Sequence, residues 1–168
     1  MGKRWIVYGG ISAAVFIVDQ LTKSLVLRRL DLFSSVQLIP HFFRIVSVRN
    51  TGIVFGLLSG NGGGGHQGFL IAFTILAMLA ILIYSWKKAR QGAIEIYPLA
   101  LILGGAAGNL YDRIDHGRVV DFLDFYIGNA HWPAFNIADS CIVVGVGSLL
   151  FLQWREERIR TGSSARPE

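Results

Sequence analysis

One cysteine, Cys141, stands in the whole chain, so an intramolecular disulfide is excluded. A lone thiol inside an apolar stretch is a small hydrophobe. Charge is scarce as well: 16% of the 168 residues are charged and 52% are hydrophobic, with a mean hydropathy of +0.49. Soluble domains carry about 25% charged residues, so this balance excludes an ordinary soluble domain and points to the bilayer. The four histidines (His41, His66, His116 and His131) form no HExxH pair and have no cysteine beside them, which argues against zinc. A net charge of +5 does not make a nucleic-acid footprint, because the basic residues punctuate apolar runs instead of forming a patch. No metal, cofactor or nucleic-acid partner is expected.

Long apolar runs are plentiful. A hydrocarbon core about 30 Å thick needs roughly 20 mostly apolar helical residues. Four stretches approach that length, at about 5–25, 69–86, 96–112 and 137–154. The first resembles a signal-peptide core behind Lys3 and Arg4, but no small-x-small cleavage site follows, so it reads as a retained anchor. Short basic flanks orient the set: Lys3 and Arg4 before the first span, "WKKAR" after the second, "WREERIR" after the fourth. Four spans put all three flanks on one side, which the positive-inside rule makes cytoplasmic. The chain thus reads as one membrane domain over 1–168, with both termini cytoplasmic and outer loops at 26–68 and 113–136.

The first outer loop holds "VQLIPHFFRIVSVRNTGIVFGLL", rich in β-branched and aromatic residues, which predicts two or three short strands. "SGNGGGGHQG" (59–68) follows as a flexible linker. "LGGAAGN" carries Gly104 and Gly108 as GxxxG, a helix-packing pattern that also brings the polar end of span three near span four.

Ionisable groups in spans are costly and are functional suspects. Asp19 lies near the outer end of span one, Asp139 opens span four, and Asn109 and Asp112 close span three. All four therefore reach one depth on one side. Asn109, Asp112 and Arg113 at i, i+3 and i+4 share a face if the helix continues, and Asn136 and Asp139 repeat the i, i+3 spacing. Asp112, Asp115, Asp121 and Asp124 crowd the loop entrance; local explanations are Asp112 paired with Arg113 or Arg118, and Asp115 and Asp124 solvated in the loop. Two facing carboxylates that share one proton provide a general base and a general acid without metal, serine or histidine. The residues alone leave either Asp112 or Asp121 as the partner of Asp139.

The motifs "DQLTK" (19–23), "RNTGIVFG" (49–56), "GGAAGNLYDR" (104–113), "VVDFLDF" (119–125) and "PAFNIADS" (133–140) occur in that order on four spans. In this the chain resembles the lipoprotein signal peptidases, the signal peptidase II family of bacterial membrane aspartyl proteases, from about residue 5 to 155. The resemblance implies an all-α integral membrane fold of four transmembrane helices, with a small extracytoplasmic β-sheet (the cradle) and a short surface helix. It implies an endopeptidase of the inner membrane, its site near the outer face. The substrates would be diacylglyceryl-modified prolipoproteins, cut on the amino side of the lipidated cysteine. It implies inhibition by globomycin-type cyclic peptides, contact with membrane lipids and a monomer. Carried over, the catalytic pair is Asp121 and Asp139. Asn109, Asp112, Arg113 and Asn136 form polar support and substrate contacts, and Asp19 and Asn50 the surrounding shell. Ile53 and Val54 depart from the family, where small residues are common, and the glycines at 62–65 look like a lengthened linker.

Two other classes compete. A proton- or ion-coupled transporter using Asp19, Asp112 and Asp139 as a relay needs carboxylates spread through membrane depth, and spans two and three carry none at mid-membrane. A non-catalytic scaffold packed through Gly104 and Gly108 leaves the acidic level without a role.

Overall fold

The computed structural model describes residues 2–52 and 65–164. The apolar runs form helices in the order α1 (Gly2–Arg29), α2 (Gly65–Arg90), α3 (Ile96–His116) and α4 (Ile137–Ser164). Three of them are long and apolar enough to cross a membrane: α1, α2 from Gln67, and α4 as far as Ile159. Their outward faces carry bare apolar side chains, among them Leu21 on α1, Phe73 and Leu76 on α2, and Val143 and Phe151 on α4. Such a surface needs lipid around it. The helix absent from that set is α3, which packs against each of the other three. Shielded by neighbours, it tolerates glycines and polar residues that a lipid-facing helix does not.

Every helix outlasts its hydropathy signal. With 28 residues, α1 measures about 42 Å at 1.5 Å per residue and runs on to Arg29. Beyond Trp154, α4 continues through "REERIR", whose Arg and Glu are good helix formers in water. In α3 the ladder persists past Asp112 until Gly117, whose φ of 67° turns the chain left-handed while its N–H caps the Arg113 carbonyl. Residues 65–68, expected within the linker, are the first turn of α2, where unpaired N–H groups make glycine inexpensive. The rest of that linker, the departures at Ile53 and Val54, and the end of "RNTGIVFG" lie outside the described residues. No short surface helix occurs among the described residues.

A four-stranded antiparallel sheet sits at one end of the bundle, in the order β1 (Ser35–Ile39), β2 (Phe43–Asn50), β3 (Val119–Ile127), β4 (Ala130–His131). The first loop supplies two strands, as its pattern predicts. The second loop, 113–136, is a correction: it contributes β3 and β4. "VVDFLDFYI" lacks simple alternation because its strand is buried on both faces up to Phe122. Opposite Ile45 and Val48 stand Leu123 and Asp121, so β2 spends one extra residue there and the register shifts. Phe43 and Phe135 both stack on Phe125, at 4.6 and 5.9 Å, tying β2, β3 and the entry to α4 together.

At the end of the bundle away from the sheet, Tyr8, Ala89, Ile96, Leu99 and Ala100 form an apolar core. Ser85 Oγ donates to the Tyr8 hydroxyl (3.1 Å), and Lys88 pairs with Glu95 at 2.7 Å across the α2–α3 turn. Close helix approach depends on small residues. A Cβ on Gly104 would lie 2.6 Å from the Ser12 carbonyl, and one on Gly108 would lie 2.5 Å from Asp19 Oδ2, so the GxxxG pair faces α1. Contact with α4 passes instead through Gly105, whose Cβ would meet the Ala138 carbonyl at 2.5 Å.

Candidate active site

Under the sheet, the end of α1, the end of α3, β3 and the start of α4 converge on a buried polar network. Its organiser is Asn136, the residue before α4, which is fully buried. Phe135 is bridged to β3, its carbonyl accepting from the N–H groups of Phe122 (3.0 Å) and Leu123 (2.8 Å). That bridge sets Asn136 beside Asp121. Asn136 Nδ2 donates to Asp121 Oδ1 at 2.8 Å, and its backbone N–H donates to Asp139 Oδ2 at 3.2 Å. In return Asn136 Oδ1 accepts from the Asp139 N–H at 2.9 Å, completing a capping box in which the acidic member is Asp139. One residue therefore holds both carboxylates.

Each carboxylate has a further amide donor. Asn109 Nδ2 donates to Asp139 Oδ1 at 2.7 Å, and Asn50 Nδ2 donates to Asp121 Oδ2 at 2.9 Å. The Asn50 carbonyl is fixed by the N–H of Gly52 (2.8 Å), whose φ of 88° suits glycine. Asn50, assigned to the surrounding shell from sequence, thus touches Asp121 directly. Asp121 is 2% exposed while Asp139 is partly open to solvent. Burial first, and the neighbouring Asp139 charge as well, push the Asp121 carboxyl up to about 6, against the hydrogen bonds from Asn50 and Asn136. That places its proton exchange near neutral pH, where acid–base chemistry is effective.

Asp112 does not join them. Lys23, 2% exposed, places its Nζ 2.7 Å from Asp19 Oδ2, 2.9 Å from Asp112 Oδ2 and 3.1 Å from Asn109 Oδ1. Asp112 also accepts from Gln20 Nε2 (2.9 Å) and the Val120 N–H (3.2 Å), so it ties α1 and α3 to β3. Neither Arg113 nor Arg118 is its ion-pair partner. Asp19 Oδ1 accepts from the Ala138 N–H at 2.9 Å, in the first turn of α4, where the helix dipole favours an anion. Arg113 Nη1 reaches back to the Asn109 carbonyl at 3.2 Å, while its Nε is buried with no hydrogen-bond partner among the described residues. Among the described residues no group of three or more His, Cys, Asp or Glu side chains is arranged to hold a metal ion.

Asp115 is exposed, as expected, but it stands on the last turn of α3 and not in a loop. Asp124 is a correction. It is buried, with Arg44 Nε at 2.6 Å and His131 Nδ1 at 3.0 Å. Burial opposes its ionisation, but the hydrogen bonds from His131 and Arg44 together outweigh that and hold its carboxyl below the usual range. On a strand, residues three apart point to opposite faces, so Asp121 turns inward and Asp124 away. Lys23 and Gln20 are the members that sequence reasoning left without a role. A lysine four residues after an intramembrane aspartate, on the same helix face, is the signal that finds the first of them.

The profile of the family described as Signal peptidase (SPase) II matches residues 11–155. The chain belongs to that family. Curated relatives called lipoprotein signal peptidase agree throughout. The protein of Shewanella oneidensis is 48% identical over 147 residues, covering 86% of this chain and 82% of its own. That of Alteromonas mediterranea is 44% identical, with 83% and 76% covered, and that of Geobacter metallireducens 41%, with 94% and 96% covered. A solved structure of a bacterial membrane enzyme, determined in meso at 2.3 Å resolution, superimposes with a TM-score of 0.76 at 32% identity, covering 100% of this chain and 94% of that one. A signal peptidase II is a protease of the membrane, and its family name implies cleavage of lipoprotein signal peptides from prolipoprotein substrates.

Proposed function

We propose that this signal peptidase II is an aspartyl endopeptidase whose catalytic groups are Asp121 and Asp139, acting on diacylglyceryl-modified prolipoproteins and cutting on the amino side of the lipidated cysteine. The observation that carries the reading is the single residue, Asn136, hydrogen-bonded to both carboxylates. One aspartate is ionised and takes a proton from water as the water oxygen attacks the scissile carbonyl. The other is protonated and donates to the carbonyl oxygen. The tetrahedral intermediate collapses as the C–N bond breaks and the leaving amine takes up the proton from the first aspartate. Acid–base assistance of this kind contributes roughly 10²–10⁴-fold, and positioning in a dry site supplies the rest.

In this reading Asn109, Asn136 and Asn50 hold the pair, Asp19 and Asp112 brace it, and Arg113 Nε, without a partner among the described residues, offers a donor to a substrate carbonyl. Helix α3 is the fourth span, 21 residues or about 32 Å long, enough for a hydrocarbon core. The sheet forms the cradle on the outer face of the cytoplasmic membrane, and both termini face the cytoplasm beside the basic flanks. The single domain acts as a monomer, with its helices in lipid and globomycin-type peptides competing for the cleft.

The test uses purified protein in detergent with one lipidated and one unlipidated precursor. Asp121→Asn and Asp139→Asn are expected to abolish cleavage while retaining the thermal unfolding of a folded protein, and only the lipidated precursor should be cut. Full activity in either variant refutes the assignment.

A further inference from the structure

The aspartate pair is chemically symmetric, but its surroundings are not. Asn109 Oδ1 lies between two donors, Lys23 Nζ at 3.1 Å and Asn136 Nδ2 at 3.2 Å. Turning the Asn109 amide over would set its NH₂ against an ammonium and another NH₂, with no acceptor on that side. The network therefore fixes the orientation: oxygen toward Lys23, nitrogen toward Asp139 Oδ1 at 2.7 Å. Lys23 in turn is held by Asp19 and Asp112 and has no donor left over. From this we infer that Lys23 is a positioning residue for the peptidase reaction, pinning Asn109 so that Asp139 is the ionised base and Asp121 keeps the shared proton.

The inference rests on the aspartate-pair reading and adds a direction to it. Asp139 accepts from an amide whose oxygen is held by a buried ammonium and from a backbone N–H at a helix start. Asp121 accepts from two neutral side-chain amides on a fully covered strand, and the rise in its pKa agrees with its holding the proton. The charged groups that act on the pair are Lys23 from α1 and Arg113 from α3, while Asp19 and Asp112 face Lys23. In the reaction Asp139 takes the proton from water and Asp121 gives its own to the carbonyl oxygen; Asp121 then recovers it as the intermediate collapses and Asp139 passes its proton to the amine, which resets both.

Removing Lys23 alone strands two carboxylates, so the variant of choice is Lys23→Met with Asp112→Asn, which keeps the local charge of the Asp19–Lys23–Asp112 group at minus one. The readout is the pH profile of kcat/KM on a lipidated precursor. The acid limb should rise by about one pH unit and kcat fall about tenfold, with KM within about twofold. Asn109→Ala leaves the ion cluster intact and should shift the same limb; in the Lys23→Met/Asp112→Asn background it should add little further shift. An unmoved profile with lowered kcat, in either variant, means a merely structural role and overturns the inference. Infrared spectra at about pH 5 give a second arm, since the C=O stretch of a protonated carboxyl should vanish in Asp121→Asn and persist in Asp139→Asn. The reverse pattern also overturns it. Cleavage retained by Asp121→Asn or Asp139→Asn is a separate result, which removes the pair itself and this inference with it.

Discussion

Replacing Asp121 by asparagine should make the protein inactive and, at neutral pH, more stable. Unfolded, the carboxyl ionises near 3.8; folded, it holds its proton up to about 6. Between those values the folded state binds more protons, so the contribution of Asp121 to stability is complete below about 4 and is lost as pH rises through 6. Two pKa units at 1.36 kcal/mol each put the loss at about 3 kcal/mol by pH 7. Asparagine has no proton to lose and escapes it. Against that gain, its NH₂ must face the amide donor of either Asn50 or Asn136, forfeiting one hydrogen bond worth about 1 kcal/mol. The net expectation is stabilisation of about 2 kcal/mol at pH 7 and destabilisation of about 1 kcal/mol near pH 4. For a chain of this size that is roughly 2–4 °C in Tm per kcal/mol. Thermal unfolding of the two proteins in one detergent, at both pH values, measures it. The decisive quantity is the change with pH of the difference between them, because titrating groups not coupled to Asp121 cancel. If that difference is the same at pH 4 and pH 7, Asp121 does not carry the raised pKa and the argument from its burial fails.

Asn136→Ala removes the cap of α4 and a donor to Asp121 together; a stability loss of about 2–3 kcal/mol and a fall in kcat of about 10²-fold or more should appear in denaturation and cleavage assays. Gly105→Ala brings a methyl against the Ala138 carbonyl and should cost about 1–3 kcal/mol in thermal stability, where Gly147→Ala, with open space around it inside α4, should be neutral or stabilising by up to about 1 kcal/mol. Asp124→Ala frees Arg44 and His131 and should loosen the far end of the sheet, raising protease sensitivity there without abolishing turnover. Because the Asp124 pKa is lowered in the folded state, the stability it confers is present above its unfolded pKa and fades as pH falls through the folded one. An Asp124→Ala variant should therefore differ most from the parent at neutral pH and converge with it in acid.

Composition and run length by themselves determined that this is a membrane protein, because hydrocarbon tolerates only helices of sufficient apolar length. They also determined that polar residues gather at one level, since Asp19, Asn109, Asp112 and Asp139 occupy matching ends of three of the four apolar runs. Helical spacing was equally legible: Asn136 and Asp139 form a capping box because N-cap and N3 meet across one turn. What periodicity did not show was β3. A strand covered on both faces loses its alternation, so 113–136 reads as a loop, and with it goes the reason that Asp121 faces inward while Asp124 faces Arg44 and His131. Nor does local sequence reveal that Asp112 belongs to Lys23. That pairing crosses from α3 to α1, and it forms because glycines at 104 and 108 let the two helices approach until a buried ammonium sits between two carboxylates. Long-range contacts of this kind are set by packing, and only the tertiary structure decides which of several similar aspartates are neutralised by a buried ammonium and which are not.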